Sequence, residues 1–111
     1  MKLNIQERLT LVNLVPEKGS FVTMSIVEGL RLVLYPSEVE VKKFDLKQNE
    51  RVLTWNDEGT KRVEIKLSDL QRKFLMDILE ERSQENDLDF QQYTTYKRLK
   101  EENKEKPESK E

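Results

Sequence analysis

The feature that most constrains this chain is a change of hydrophobic period between Phe44 and Leu67. Upstream, apolar residues recur three and four apart, as on a helix buried along one side. Within Lys61-Arg62-Val63-Glu64-Ile65-Lys66-Leu67 they alternate, as on a strand with one face buried. Beyond Ser68 the helical spacing returns. The expected class is α+β: a helical N-terminal half, a small three-stranded antiparallel sheet, then C-terminal helices. Three helices ahead of a hairpin is also the winged-helix order, a likeness of layout that carries no function by itself.

Caps and breakers place the elements. Asn4 with Glu7 three residues on reads as a capping box, and Ile5, Leu9 and Val12 then share a face. Pro16 and Gly19 interrupt, and Ser20 caps a second helix running to about Leu34. That helix is apolar nearly all round, with only Ser25, Glu28 and Arg31 as a polar stripe, which predicts a central place in the core. Gly29 within it invites close approach by another helix. Pro36 ends it, and Ser37 with Glu40 opens a short third helix. Strands are expected near Phe44–Gln48, Arg51–Asn56 and Lys61–Leu67, with Gly59 left-handed in the turn after Asn56. Leu53, Trp55, Val63, Ile65 and Leu67 should face inward. Ser68 starts a helix that fades near Ser83, and Asp89 with Gln92 starts another. One α+β domain over residues 1–99 is expected, followed by a charged, disordered tail over 100–111 whose residues have nothing to bury.

Composition removes several functions. There is no His and no Cys, so imidazole proton shuttles, Ser-His-Asp triads and thiol nucleophiles are excluded. A zinc site would have carboxylates alone to draw on. Glycines 19, 29 and 59 are isolated and form no phosphate-binding loop. No catalytic, metal or cofactor residue is assigned, and the reading is non-enzymatic. The first residues carry charges where a leader peptide needs an apolar run, and no stretch is long and apolar enough to span a bilayer, so a cytoplasmic protein without membrane contact is expected.

Two binding candidates stand out. Phe90, Tyr93, Tyr96 and Leu99 give the last helix an aromatic contact surface. It could pack on the domain itself, complete a homo-oligomer or dock a protein partner. The alternative is nucleic acid, taken by Lys42, Lys43, Lys61, Arg62 and Lys66 in the locally basic middle of the chain. Against it, 22 acidic residues offset 20 basic ones overall, and Glu38 and Glu40 head the helix that would have to meet DNA. Glu85, Asn86, Asp87 and Asp89 resemble a calcium loop only superficially, lacking its Gly and distal Glu, and a helix cap explains them.

The runs Asn4-Ile5-Gln6-Glu7-Arg8-Leu9, Leu14-Val15-Pro16-Glu17-Lys18-Gly19-Ser20-Phe21-Val22-Thr23 and Leu53-Thr54-Trp55-Asn56 resemble small proteins encoded by tailed bacteriophages and prophages. The likeness spans roughly residues 3–99 and carries over no catalytic or ligand residue. It implies a viral protein in the cytoplasm of a bacterial host, binding a host factor or a defence component, or else a virion or assembly component.

Overall fold

Residues 1–105 are described by a computed structural model, with side chains to Glu102. The backbone divides into two compact units, the first Met1–Ser68 and the second beginning at Asp69.

The first unit starts with strand β1 (Lys2–Leu3) and helices α1 (Ile5–Val12), α2 (Phe21–Leu34) and α3 (Glu38–Lys43). Strands β2 (Lys47–Asn49) and β3 (Val52–Thr54) follow, then a 3-10 turn (Asp57–Thr60) and β4 (Val63–Glu64). Local hydrogen bonds set the helix starts. Asn4 and Glu7 form a reciprocal capping box, as do Ser37 and Glu40, while the Ser20 hydroxyl accepts from the Thr23 N–H. Each satisfies helix-end N–H groups that have no partner within the helix.

The fold is α+β, with five α-helices and two small antiparallel ladders among the described residues. The expected three-stranded sheet is not formed. β2 and β3 pair as a hairpin with Lys47 opposite Thr54, whereas β4 pairs with β1, Leu3 opposite Val63. The cause lies at Asn56. Its N–H donates to the Phe44 carbonyl at 2.8 Å and its side-chain amide to that of Lys43 at 3.0 Å. Its Oδ1 accepts from the Gly59 N–H at 3.3 Å. This anchors the hairpin's exit to the end of α3 and separates β3 from β4. The alternating Val63–Ile65 run then pairs with the N-terminal residues, and Ile65 N–H reaches the Met1 carbonyl at 2.8 Å. Gly59 is not left-handed, since no described glycine has positive φ; its α-carbon lies against the half-buried Trp55 ring.

The core of this unit gathers Leu3, Ile5, Leu11, Leu14, Leu30, Leu34, Phe44 and Ile65. α1 packs on α2. The central burial expected for α2 is also corrected: only Val27, Leu30 and Leu34 are buried, and Phe21 and Leu32 are 90% and 79% exposed. The buried three lie three and four apart, so they occupy one side of the helix, and the apolar residues opposite them face outward.

The second unit pairs α4 (Asp69–Gln84) with α5 (Phe90–Glu105). α4 ends in a Schellman motif: Asn86 at φ 58° donates to the Ser83 carbonyl and Asp87 to that of Arg82. Asp89 and Gln92 then exchange reciprocal side-chain to backbone bonds of 2.7 and 3.1 Å, which start α5. The four polar residues of the connection are thus spent on capping, with the Asp87 carboxylate also on Arg82 at 3.2 Å. α5 includes residues 100–105; the rest of the expected tail, 106–111, lies outside the described residues. No helix among the described residues is long and apolar enough to cross a membrane.

Candidate protein-docking site

The α5 surface follows from its first turn. The Asp89–Gln92 bonds fix that turn, with Phe90 as its first residue. Phe90 and Tyr93 project from the same side, and their ring centroids lie 6.1 Å apart at a tilt of 36°. Phe90 is 76% exposed and Tyr93 46%. Tyr93, Lys97 and Lys100, with Leu88 from the preceding loop, line an open cavity of about 330 Å3.

Tyr96 and Leu99, read from sequence as part of the same surface, are placed differently. Leu99 and Tyr96 are both buried. A constant spacing of three explains this: at 3.6 residues per turn each step falls short of a full turn by about 60°, so Phe90 and Leu99 lie about half a turn apart. Tyr96 still borders the cavity, but its hydroxyl is committed to Glu80 on α4 at 2.5 Å. Burial, and then this carboxylate, push the Tyr96 pKa up to about 12. The same bond, with help from Gln84, holds the Glu80 carboxyl below its ordinary value. Lys100 lies over the Tyr96 ring, 5.0 Å from its centroid. The accessible face therefore reads Phe90, Tyr93, Lys97, Lys100: two aromatics, then two cations, at helical spacing. That arrangement can receive an apolar side chain flanked by carboxylates. The two lysines escaped the sequence reading, although their spacing of four and seven from Tyr93 was there to be seen.

Of the five basic residues of the nucleic-acid alternative, two hold carboxylates and three are exposed without an ion pair among the described residues. Arg62 is turned onto Glu7 with a 3.0 Å ion pair, and Lys61 holds Glu58 at 3.2 Å. Lys42 and Lys43 are exposed at the end of α3, Lys43 over the Phe44 ring, and Lys66 is exposed beyond β4. Trp55, expected to face inward, is half-buried beside Gly59.

One cluster was invisible to sequence reasoning. Arg8, 2% exposed, donates from Nε to the Leu34 carbonyl at 2.9 Å and from Nη2 to that of Tyr35 at 3.3 Å. It also grips both Glu40 oxygens, at 2.8 and 3.0 Å. Its donors satisfy carbonyls at the α2 terminus, and its charge is matched by α3. Its hydrogen bonds tie α1 to the end of α2 and the start of α3, as a structural clamp does. Among the described residues no group of three or more acidic side chains could hold a metal ion. No protein-family model, curated protein or solved structure matches the chain.

Proposed function

We propose that the chain is a non-enzymatic interaction protein that docks a protein partner on the α5 face of Phe90, Tyr93, Lys97 and Lys100. The observation that supports it is the exposed, mutually packed Phe90–Tyr93 pair beside a cavity edged by two lysines. Exposed aromatics next to a recess are the usual anchors of protein interfaces, and a solvated cation on the rim adds orientation. The partner would offer an apolar side chain with carboxylates nearby. The phage resemblance of Asn4–Leu9, Leu14–Thr23 and Leu53–Asn56 makes a bacterial host factor or defence component the first class to test.

The experiment is affinity capture from a bacterial lysate with wild-type protein and with Tyr93→Ala, followed by titration of the purified partner. Tyr93→Ala should weaken binding by at least ~10-fold, as truncation of an interface anchor does, and leave the circular dichroism spectrum unchanged. Tyr96→Ala is unsuited to this comparison, because it removes a buried ring and its bond to Glu80. Binding that survives Tyr93→Ala and Phe90→Ala together overturns the reading. Nucleic acid as the true ligand would show instead as salt-sensitive binding lost on Lys61→Glu with Lys66→Glu.

A further inference from the structure

The outward side of α2 is a second surface, independent of α5. Phe21, Ser25, Glu28, Leu32 and Tyr35 follow one another at steps of four, three, four and three, the spacing of a helix–helix seam. Phe21 is 90% exposed, Leu32 79% and Tyr35 45%. Beside the seam lies an open groove of about 620 Å3, lined by Glu28, Arg31 and Leu32 of α2, by residues 35–37 past its end, and by Pro16 and Glu17 of the connection before it. Glu28 and Arg31 are three residues apart, yet neither side chain has a hydrogen bond or ion pair among the described residues.

We infer that α2 is a self-association face, on which two copies pack α2 against α2 in antiparallel fashion about a two-fold axis beside Gly29. Three features are consistent with a centre near Gly29. Glu28 lies one residue before Gly29 and Arg31 two after, so in an antiparallel pair each Glu28 meets the Arg31 of the second copy, twice over. Phe21 is the first residue of α2, so in an antiparallel pair it lies against the end of the other copy's α2, where Tyr35, Pro36 and Ser37 line the groove. Gly29 carries no side chain to hold the two backbones apart. A parallel pair would instead set Glu28 against Glu28, which is repulsive.

The seam carries a good part of the area an interface needs. At about 200 Å2 for a whole aromatic residue and about 150 Å2 for Leu, the exposed parts of Phe21, Leu32 and Tyr35 offer roughly 400 Å2 per copy. That is about half of the ~800 Å2 each partner buries in an interface of standard size, and the exposed Ser25, Glu28 and Arg31 add to it. The apolar residues supply the association and the reciprocal charges set its direction.

Light scattering on the eluting protein at ~100 μM, where an interface of this size is largely occupied, should give twice the chain mass of 13.3 kDa. Glu28→Arg places like charges opposite at both contacts, and so does Arg31→Glu. Each alone should weaken association by at least ~10-fold. The two variants mixed should form a heterodimer, and the double variant should again form a homodimer. Phe21→Ala should weaken association, while Phe90→Ala on α5 should not, which separates this face from the proposed partner site. Circular dichroism shows whether each variant is folded. A wild-type monomer at that concentration, whether its α2 face is open or covered from within the chain, overturns the inference. So do folded single variants that remain dimeric, or a mixture that stays monomeric.

Discussion

The Arg8 guanidinium holds Glu40 by both carboxylate oxygens, at 2.8 and 3.0 Å, across 32 residues of sequence. Glu40 is at the same time the capping-box partner of Ser37, accepting its N–H at 2.9 Å. One carboxylate thus closes the N-terminus of α3 and neutralises the cation that closes the C-terminus of α2. The Arg8 bond, followed by the Ser37 backbone N–H, lowers the Glu40 pKa from 4.5 to about 2, against a desolvation effect that would raise it.

Arg8→Ala should therefore cost about 3–5 kcal/mol, because it leaves a partly buried carboxylate and several helix-end carbonyls unmatched. Arg8→Lys should recover only part of this, since an ammonium cannot form the two-pronged contact. Urea unfolding of the single and double variants with Glu40→Ala should give a coupling above ~1 kcal/mol, as for residues within one network. Glu40 also predicts an acid limb. Its folded pKa is depressed, so its stabilisation is complete above the unfolded value of 4.5 and is lost as pH falls toward about 2. After discounting for its exposed edge, that loss amounts to about 1–3 kcal/mol, and Glu40→Gln should flatten it.

The helix starts were legible because their partners are three residues apart: Asn4 with Glu7, Ser37 with Glu40, Asp89 with Gln92. What failed to show was whatever joins distant sequence. β1 is two residues long and finds its partner some sixty residues on. Arg8 sits in a helix pattern as an ordinary polar residue, and nothing local marks it as buried. Glu7 is legible as a cap but not as the partner of Arg62. For the proposed docking residues the limit was angular. Phe90 and Leu99 share a period of three that looks like a stripe on paper and winds half-way round a real helix.

Tyr96 should ionise later than an ordinary tyrosine. Its pKa of about 12, set by burial and then by the Glu80 bond, lies above the ordinary 10.0. The sign follows: its contribution to stability is intact below pH 10 and is lost as pH rises through about 12. An ultraviolet titration of the folded protein should show a late step that Tyr96→Phe abolishes and Glu80→Gln moves downward.

Asp45 should prefer to be glycine. It takes φ 52° just past α3, where its N–H donates to the Lys42 carbonyl and the Leu46 N–H to that of Val41, the Schellman arrangement. The left-handed conformation costs a residue with a β-carbon about 1–2 kcal/mol, and glycine returns about half of that as lost chain entropy. The Lys47 contact given up is long, 3.7 Å, and exposed, so it counts for little. Asp45→Gly should raise the unfolding free energy by about 0.5–1 kcal/mol. Asn86→Gly, at φ 58°, should gain less, because asparagine tolerates this region better than most residues.

Gly59 should not accept a methyl group. A β-carbon there would lie 2.7 Å from Cδ1 of Trp55 and 3.1 Å from Cγ, and an indole ring cannot bend aside as the end of a flexible chain can. The surroundings leave little slack, because Asn56 ties the turn to the end of α3 through Phe44 and Lys43. Gly59→Ala must therefore push the ring or open the turn, at about 1–3 kcal/mol, the range for overpacking a formed site. Trp55 is the single tryptophan, so its emission reports the event directly. A displaced ring should emit further to the red than in the wild type, and the unfolding midpoint in urea should fall. Unchanged emission and stability would mean that the ring does not pack on Gly59 in solution.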